Sequence, residues 1–290
     1  MDNSHSTKTA ETIQFNVGRV ISKDGTPIGY RQAGTGPGLV ILHGGARASQ
    51  HYLRLAAALA DQFTVCLPDR RGRGLSGPRG DGYSVKKEIE DIRAIFQETG
   101  ARFVFGHSAG GFIALEAAVE LPVEKLAVYE PPISIHGSID FSFLPHLEKA
   151  LARGDGAAAF VIFLKGLRLD WMTGLPFWVL YPMARMMLND ADGREMIALI
   201  PTVIWEAKEI QRLDSTEERY RAIRAGTLLL GGSRSPAYLR DVLPILAKTI
   251  PHVRQVEFPG LNHNAPDQNA PELVAAEMKR FLSREATTGA

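Results

Sequence analysis

The stretch "VFGHSAGG", residues 104–111, joins an apolar run to a helix of small residues through a serine enclosed by glycines. The pattern is G-x-S-x-G, with Gly106 and Gly110 two positions before and after Ser108. A sharp turn from strand to helix would lift the serine hydroxyl above the edge of a sheet and strain its backbone. Larger side chains would collide at the two glycine positions of such a turn. The stretch therefore predicts a strand, RFVF, and a helix, AGGFIALEAAVEL, with a reactive serine between them.

The composition of the chain is that of a globular protein. Of its 290 residues, 45% are hydrophobic and 22% are charged, and the formal net charge is +1. A net charge this small does not attract nucleic acid or an anionic membrane strongly. Neither partner is therefore predicted. The one cysteine, Cys66, excludes an intrachain disulfide. The histidines lack metal-ligand spacing and no strand leads into a nucleotide-binding glycine motif, so neither a metal nor a cofactor is predicted.

The amino-terminal end, residues 1–14, is polar and is predicted to be a flexible tail. It lacks the apolar core of a signal peptide, and the chain has no run of roughly 18 apolar residues. These features predict a soluble protein located in the cytoplasm.

Short β-type runs alternate with helical patterns along most of the chain. The central runs are apolar on both faces, which is typical of parallel strands covered by helices on each side. Two opening runs without a helix between them indicate an antiparallel start. The alternation predicts an α/β fold with a doubly wound, mostly parallel sheet of eight strands, built from residues 15–133 and 216–285. The runs are FNVGRVI, PIGYRQAG, GLVILHG, FTVCLPD, RFVFGHS, KLAVYEPP, GTLLLGGS and VRQVEFPG.

The alternation stops once, between residues 134 and 215. This segment is rich in bulky apolar residues and contains prolines at positions 145, 176, 182 and 201. It is too long and too apolar for a surface loop, so we predict an inserted helical cap whose short helices end at the prolines. Its aromatic residues either pack the cap onto the core or line an apolar pocket over the carboxyl edge of the sheet. The predicted pocket residues are Trp171, Trp178, Tyr181 and Met183.

A serine hydroxyl near neutral pH needs a base that takes its proton. His263 is predicted to be that base, because it follows the last apolar run in VEFPGLNHNAP. The oxyanion of an acyl transfer needs backbone N–H donors. One is predicted at Ala109, at the amino end of a helix, and another at Gly45 in VILHGGAR. Gly44 and His107, which adjoin these groups, are predicted to border the substrate.

Several motifs together resemble the α/β-hydrolase superfamily, in its serine-nucleophile branch with a helical cap. They are Gly106-His107-Ser108-Ala109-Gly110-Gly111, His43-Gly44-Gly45, DRRGRGLSG from Asp69 to Gly77, and GLNH ending at His263. The resemblance covers the chain from about Gln14 to Leu282. It implies an α/β-hydrolase fold and a triad of serine, acid and histidine. It also implies that Asp69 belongs to a structural loop and not to the triad.

The acid of such a triad most often follows the strand GTLLLGGS in this superfamily, but here that position is Ser235. Some branches, including haloalkane dehalogenases and zearalenone-type lactonases, take the acid from the strand after the nucleophile helix. That strand is KLAVYEPP in this sequence, and Glu130 stands at its end. An unpaired buried carboxylate is costly, and His263 would be its partner. Glu130 is therefore predicted to orient His263; the alternative is a structural glutamate at the start of the cap.

The predicted function is that of a serine hydrolase, which cleaves a carboxylic ester or lactone with a bulky apolar portion through an acyl-enzyme. The placement of Glu130 resembles that in zearalenone-type lactonases and favours a lactone. Epoxide hydrolases and haloalkane dehalogenases resemble the fold but have an aspartate where Ser108 stands. Carbon–carbon bond hydrolases, cofactor-free haloperoxidases and hydroxynitrile lyases keep a serine and remain alternatives, as does a hydrolase-like receptor with little turnover. The expected partner is a small molecule, and an apolar cap could pair with its copy in a homodimer.

Overall fold

Eight strands form one sheet in the computed structural model, which describes residues 13–169, 171–189 and 191–283. The strands are β1 (Asn16–Ile21), β2 (Pro27–Ala33), β3 (Gly38–Leu42), β4 (Thr64–Pro68), β5 (Phe103–His107), β6 (Lys125–Tyr129), β7 (Gly226–Gly232) and β8 (Val253–Phe258). Their order across the sheet is β1-β2-β4-β3-β5-β6-β7-β8. Strand β2 is antiparallel to β1 and to β4, and all other neighbours are parallel. The predicted α/β fold and its antiparallel start are confirmed.

Helices cover both faces of this sheet. Within the described ranges they are α1 (Leu53–Leu59), α2 (Val85–Thr99), α3 (Ala109–Glu120), α4 (Leu144–Ala152), α5 (Gly156–Leu167), α6 (Phe177–Met187), α7 (Ala191–Arg212), α8 (Ala237–Arg240), α9 (Val242–Thr249) and α10 (Pro271–Leu282). Leu39 and Ile41 of β3 pack with α1 and α10, whereas Val40 and Leu42 pack with α2, α3 and α9. Successive residues of a strand point to opposite faces, and all four side chains are buried because helices cover both faces. Since both faces are covered, the carboxyl edge is where the sheet can present functional groups.

Four of these helices, α4 to α7, lie between β6 and β7. They share a hydrophobic cluster in which Leu147, Val161 and Ile200 are fully buried. The same cluster includes Ala46 and Ala48, from the loop that follows β3. The helices are therefore packed onto the carboxyl edge of the sheet through that loop.

We call residues 134–215 the helical insert; its described part contains helices and loops where the sequence predicts a cap. Its two ends lie side by side, since the N–H of Ser215 donates to the carbonyl of Ser134 at 3.0 Å. Two of its prolines do not end helices as predicted. Pro182 lies inside α6 and Pro201 lies inside α7. Each proline removes one backbone N–H donor from its helix.

The two ends of the chain are described in part. Of the predicted tail, residues 1–14, the structure describes residues 13 and 14. The last helix, α10, ends at Leu282. Over the described ranges, no helix combines the length and the apolar character that crossing a bilayer requires.

Candidate active site

The turn that carries Ser108 has the strained geometry that the sequence predicts. Ser108 lies between β5 and α3 with φ of 52° and ψ of −124°, a conformation that costs of order 1–3 kcal/mol in a non-glycine residue. A Cβ atom on Gly106 would lie 2.3 Å from the carbonyl oxygen of Gly110. A Cβ atom on Gly110 would lie 2.2 Å from the carbonyl oxygen of Leu42. Only glycine fits at either position, so the sequence and the backbone of the turn agree.

Strand register places the ends of β5, β6 and β7 next to one another. His107 pairs with Tyr129, and Tyr129 pairs with Leu230, in parallel register. The next residues along β5 and β6 are Ser108 and Glu130, which therefore leave the sheet side by side. The N–H of Ser108 donates to the carbonyl of Tyr129 at 2.9 Å, which fixes the serine to the neighbouring strand.

Glu130 and His263 form a buried hydrogen-bonded pair. His263 Nδ1 lies 2.7 Å from Glu130 Oε2. The exposed fraction is 0% for Glu130 and 4% for His263. Glu130 also has a positive φ of 46°, which turns the chain sharply out of β6 and into the helical insert.

The second oxygen of Glu130 is held by the strand next to it. Its Oε1 accepts the N–H of Gly232, at the end of β7, at 2.6 Å. Burial raises the pKa of Glu130, but the hydrogen bond and charge of His263 and the Gly232 N–H outweigh burial, so its pKa lies below its ordinary value. The carboxyl is therefore ionised at neutral pH. The end of β7, where the resemblance to the superfamily most often places the acid, here provides a backbone donor to a carboxylate that follows β6.

Ser108 and His263 both line the same cavity, described below. The hydroxyl of Ser108 makes no hydrogen bond with any residue in the described ranges. Such contacts are often long in unliganded enzymes and tighten when substrate binds. The structure thus brings Glu130 into contact with His263 and places Ser108 at the cavity that His263 also lines.

Two backbone N–H groups beside Ser108 are available to a ligand. The N–H of Gly44 is already used, because it donates to the hydroxyl of Tyr52 at 3.0 Å. The N–H groups of Gly45 and Ala109 donate to no acceptor within the described part of the chain. Ala109 begins α3, so its N–H also carries the partial positive charge of a helix amino end. The N–H of Gly45 is thus unoccupied where that of Gly44 is not, and its role as an oxyanion donor remains a prediction.

A buried chain of hydrogen bonds joins the loop after β3 to the loop after β8. The hydroxyl of Tyr52 accepts the Gly44 N–H and is hydrogen-bonded to His107 Nδ1. His107 Nε2 lies 2.8 Å from the carbonyl oxygen of His263. Burial holds the pKa of His107 well below its usual value, so the ring is neutral. The Tyr52 O–H must then donate to Nδ1, and the Nε2–H must donate to the carbonyl.

Tyr52 is a residue that the sequence analysis missed. It fits the apolar helical pattern and is fully buried, which is typical of a core residue. His107 was predicted to border the substrate; it lines the cavity and also forms part of this chain. The sequence signal for this role is that Tyr52 follows the HGG motif closely and has a hydroxyl, which can bond polar groups of that loop.

A cavity of about 1040 Å³ opens above the serine, between the sheet edge and the helical insert. Gly44, Gly45 and Ala109 line it on the side of the sheet. Its wall on the side of the insert is largely apolar and includes Phe141, Phe143, Phe160, Phe163, Leu164, Met172 and Val203. The volume and the apolar wall suit a substrate with substantial hydrophobic bulk.

Three residues predicted to contact substrate do not line this cavity. The exposed fraction is 76% for Trp178 and 39% for Met183. Tyr181 stacks on Phe177 and borders a separate, smaller cavity. The buried face of α6 is formed by Leu180 and Ala184, one turn apart. Tyr181 packs in part against the hydrophobic cluster of the insert, whereas Trp178 and Met183 are exposed. The side chain of the fourth, Trp171, lies outside the described residues.

The loop after β4 holds a buried group of charges that reaches the helical insert. Arg70 pairs with Glu88 of α2 at 2.8 Å and with Glu206 of α7 at 2.7 Å. Arg73 also pairs with Glu206. Burial disfavours the charge on Arg70, but both glutamates outweigh it and raise its pKa well above the usual value.

Within the described residues, no three His, Cys, Asp or Glu side chains are grouped as around a metal ion.

A mostly parallel sheet of eight strands, with a strained serine turn and an acid–histidine pair at its carboxyl edge, is the arrangement of an α/β hydrolase. The model of the alpha/beta hydrolase family matches residues 39–277, and the chain belongs to that family. The resemblance seen in the sequence is thereby confirmed.

Known relatives differ in their activities. Haloalkane dehalogenase 2 of Mycobacterium tuberculosis is 26% identical over 266 residues, which are 88% of this chain and 91% of that protein. An alpha/beta hydrolase from Sphaerobacter thermophilus has a TM-score of 0.77 at 32% identity, covering 92% of this chain and 100% of that one. The esterase RhEst1 from Rhodococcus sp. ECU1013 has a TM-score of 0.72 at 22% identity, covering 93% and 99%. At 22% identity, the similarity to the esterase shows a shared fold alone. The reaction of this protein therefore has to be inferred from its own site.

Proposed function

We propose that this protein is a serine hydrolase that cleaves a carboxylic ester or lactone with a bulky apolar portion. The observation that carries the proposal is the hydrogen bond of 2.7 Å between Glu130 and His263, at a cavity that Ser108 lines. Nucleophile, base and acid are the three parts that acyl transfer by a serine needs.

The first half of the reaction forms an acyl-enzyme. Ser108 Oγ attacks the acyl carbon and passes its proton to Nε2 of His263, the nitrogen that does not contact Glu130. Glu130 accepts the hydrogen bond from Nδ1–H, which sets the tautomer and stabilises the imidazolium. The N–H groups of Gly45 and Ala109 would hold the negative oxygen of the tetrahedral intermediate. His263 then gives its proton to the leaving oxygen, and the acyl group stays on the serine.

The second half releases the acid. Water attacks the acyl carbon while His263 takes the proton of that water and returns it to Ser108 Oγ. Every step uses groups of this chain and needs no cofactor. The apolar wall of the cavity would hold the hydrophobic part of the substrate and keep bulk water away.

The serine separates this proposal from the reaction named for the dehalogenase relative. Ser108 stands where haloalkane dehalogenases and epoxide hydrolases, by the resemblance, have an aspartate. A serine adduct with an acyl group is opened by water with help from His263, whereas a serine ether would be far more stable. Ester or lactone cleavage therefore fits this nucleophile better.

The test combines covalent labelling with turnover. A fluorophosphonate probe should label Ser108, and the wild-type protein should hydrolyse members of a panel of lactones and para-nitrophenyl esters. The Ser108→Ala variant should take no label and lose about 10⁶-fold in kcat. Labelling without turnover of any ester or lactone would support a ligand receptor and contradict the proposal.

A further inference from the structure

Glu206 is a buried carboxylate that reaches the cavity from α7. Its exposed fraction is 4%, and it lines the cavity wall. One of its oxygens, Oε1, takes both arginine contacts, with Arg70 at 2.7 Å and with Arg73. The other oxygen, Oε2, has no hydrogen-bond partner within the described ranges. Glu206 therefore leaves one acceptor oxygen uncommitted in a largely apolar chamber.

The free oxygen lies at the same end of the cavity as the proposed oxyanion donors. It is 2.8 Å from the point that a Cβ atom on Gly45 would occupy. The Cβ of Ala109 and a methyl of Val203 are each 3.8 Å from that point. Since Gly45 and Ala109 would hold the carbonyl oxygen, Glu206 Oε2 faces the atoms nearest to the reacting carbonyl.

The free oxygen is open to the cavity, since it is not among the described side-chain atoms that are both fully buried and without a partner. A substrate that fills the cavity without offering a donor would leave Oε2 desolvated and without a hydrogen bond, which is unfavourable. A substrate group that donates a hydrogen bond to Oε2 avoids that cost.

The charge balance around Glu206 defines the kind of donor. Two buried arginines, Arg70 and Arg73, face two buried glutamates, Glu88 and Glu206. Burial keeps the nearby His43 neutral by holding its pKa well below the usual value. The group is therefore balanced and requires no cation from the ligand, so an uncharged donor such as a hydroxyl fits.

We infer that Glu206 Oε2 is a specificity site that accepts a hydrogen bond from a hydroxyl group on the acyl part of the substrate, close to the carbonyl. The inference rests on the proposed function, because it takes the substrate to be an ester or lactone. The leaving oxygen has to face His263, which protonates it, so the group beside the oxyanion donors belongs to the acyl part.

The test measures binding separately from turnover. In the Ser108→Ala background, dissociation constants are measured by calorimetry for para-nitrophenyl hexanoate and for its α-hydroxy and β-hydroxy derivatives, each as separate enantiomers. At least one hydroxy ester should bind about tenfold or more tightly than the hexanoate, as expected for a buried hydrogen bond to a charged acceptor.

Two variants in α7 test whether Glu206 causes the tighter binding of the hydroxy ester. In Glu206→Gln the amide oxygen stays with the arginines and the amide N–H₂ faces the cavity, where it can donate to a hydroxyl or to an ether oxygen. The preference for the hydroxy ester over its methyl ether, which accepts a hydrogen bond but cannot donate one, should therefore fall to about twofold or less. The control is Glu209→Gln: Glu209 lies one turn further along α7 and accepts the N–H of Val85 at 3.0 Å, away from the cavity. Glu209→Gln should retain the full preference.

Two outcomes would overturn the inference. If no hydroxy ester binds more tightly than the hexanoate with Glu206 intact, the site has no such role, whether or not the Glu206 variant folds. If Glu206→Gln folds and keeps the preference for the hydroxy ester over its methyl ether, another group provides it. A preference seen only for hydroxyls on the alcohol part would contradict the assignment to the acyl part. The proposed function would fail separately, by the absence of turnover of any ester or lactone in the wild-type protein.

Discussion

The carboxyl edge of the sheet and the helical insert are built in different ways. At the edge, Ser108 and Glu130 directly follow strands whose register is fixed by hydrogen bonds, and His263 is tied to His107 through its backbone. In the insert, the residues that face the cavity are set by how each helix is rotated against its neighbours. The comparison teaches that backbone register fixes the reacting groups, whereas side-chain packing fixes the shape offered to the substrate. Substitutions at the edge should therefore change kcat, and substitutions in the insert should change selectivity.

Among variants that keep Ser108, the largest effect is expected at Glu130. In Glu130→Gln the amide would no longer select the right tautomer of His263, so kcat should fall by about 10³- to 10⁴-fold. The measurement is steady-state turnover of a para-nitrophenyl ester, with circular dichroism to verify the fold. The control is Glu116→Gln, since Glu116 of α3 is also buried but accepts a hydrogen bond from the hydroxyl of Tyr220. Near-wild-type turnover in a folded Glu130→Gln would show that another group orients His263.

Tyr52→Phe should have a smaller effect of the same kind. It removes the hydroxyl that joins Gly44 to His107, so the loop that bears Gly45 and the carbonyl of His263 both lose support. We expect kcat to fall by about tenfold to hundredfold with little change in KM, since an oxyanion-hole donor is worth about 10²- to 10³-fold when removed outright.

The matched control for that prediction is Tyr220→Phe. Tyr220 is as buried as Tyr52, and its hydroxyl donates to Glu116, away from the cavity. It should lower stability without lowering kcat. An equal loss of kcat in both variants would show that the effect of Tyr52 is structural only.

A pair of glycines tests how rigid the two regions are. Gly110→Ala would bring a Cβ to 2.2 Å from a backbone oxygen, which cannot move cheaply, and should destabilise the protein by about 1–3 kcal/mol. Gly174, in the helical insert, has open space at the same position, so Gly174→Ala should change stability by less than about 1 kcal/mol. Urea unfolding measures both. Equal midpoints for the two variants would contradict the tight packing of the serine turn.

The smallest effect is expected on the outer face of the insert. Trp178 is 76% exposed, so Trp178→Ala should leave KM unchanged and alter stability by no more than about 0.5 kcal/mol. Phe163→Leu is the comparison, because Phe163 is buried and lines the cavity. It should change the ratio of kcat/KM between long and short acyl esters. A shift in that ratio for Trp178→Ala instead would place substrate on α6.

The same contrast explains what the sequence could predict. The strands were predictable because apolar runs with no polar face are typical of parallel strands. Ser108, Glu130 and His263 were predictable as candidates because Ser108 and Glu130 directly follow strands, His263 lies in the loop after β8, and strand ends converge in an α/β fold. Their joint role remains a proposal, although the structure does bring Glu130 to His263.

The rest depends on contacts between elements far apart in the chain. Tyr52 looks like a core residue until its hydroxyl meets His107, 55 positions away. Glu206 lies in a helix with no motif, and its partners Arg70 and Arg73 are more than a hundred positions earlier. Helix α6 is apolar around most of its circumference, so periodicity did not decide which face is buried.

The adjacency of Ser134 and Ser215 has an evolutionary consequence. Because the chain departs from the sheet and returns to it at one place, the intervening helices can be exchanged as a module without disturbing the register of β6 and β7. A grafted module would have to supply an acidic side chain to replace Glu206, since Arg70 and Arg73 would otherwise be left with one carboxylate fewer. New substrate ranges could thus arise by recombination while the sheet and its proposed catalytic residues stay unchanged. The condition is that the new helices provide a carboxylate that pairs with Arg70 and Arg73.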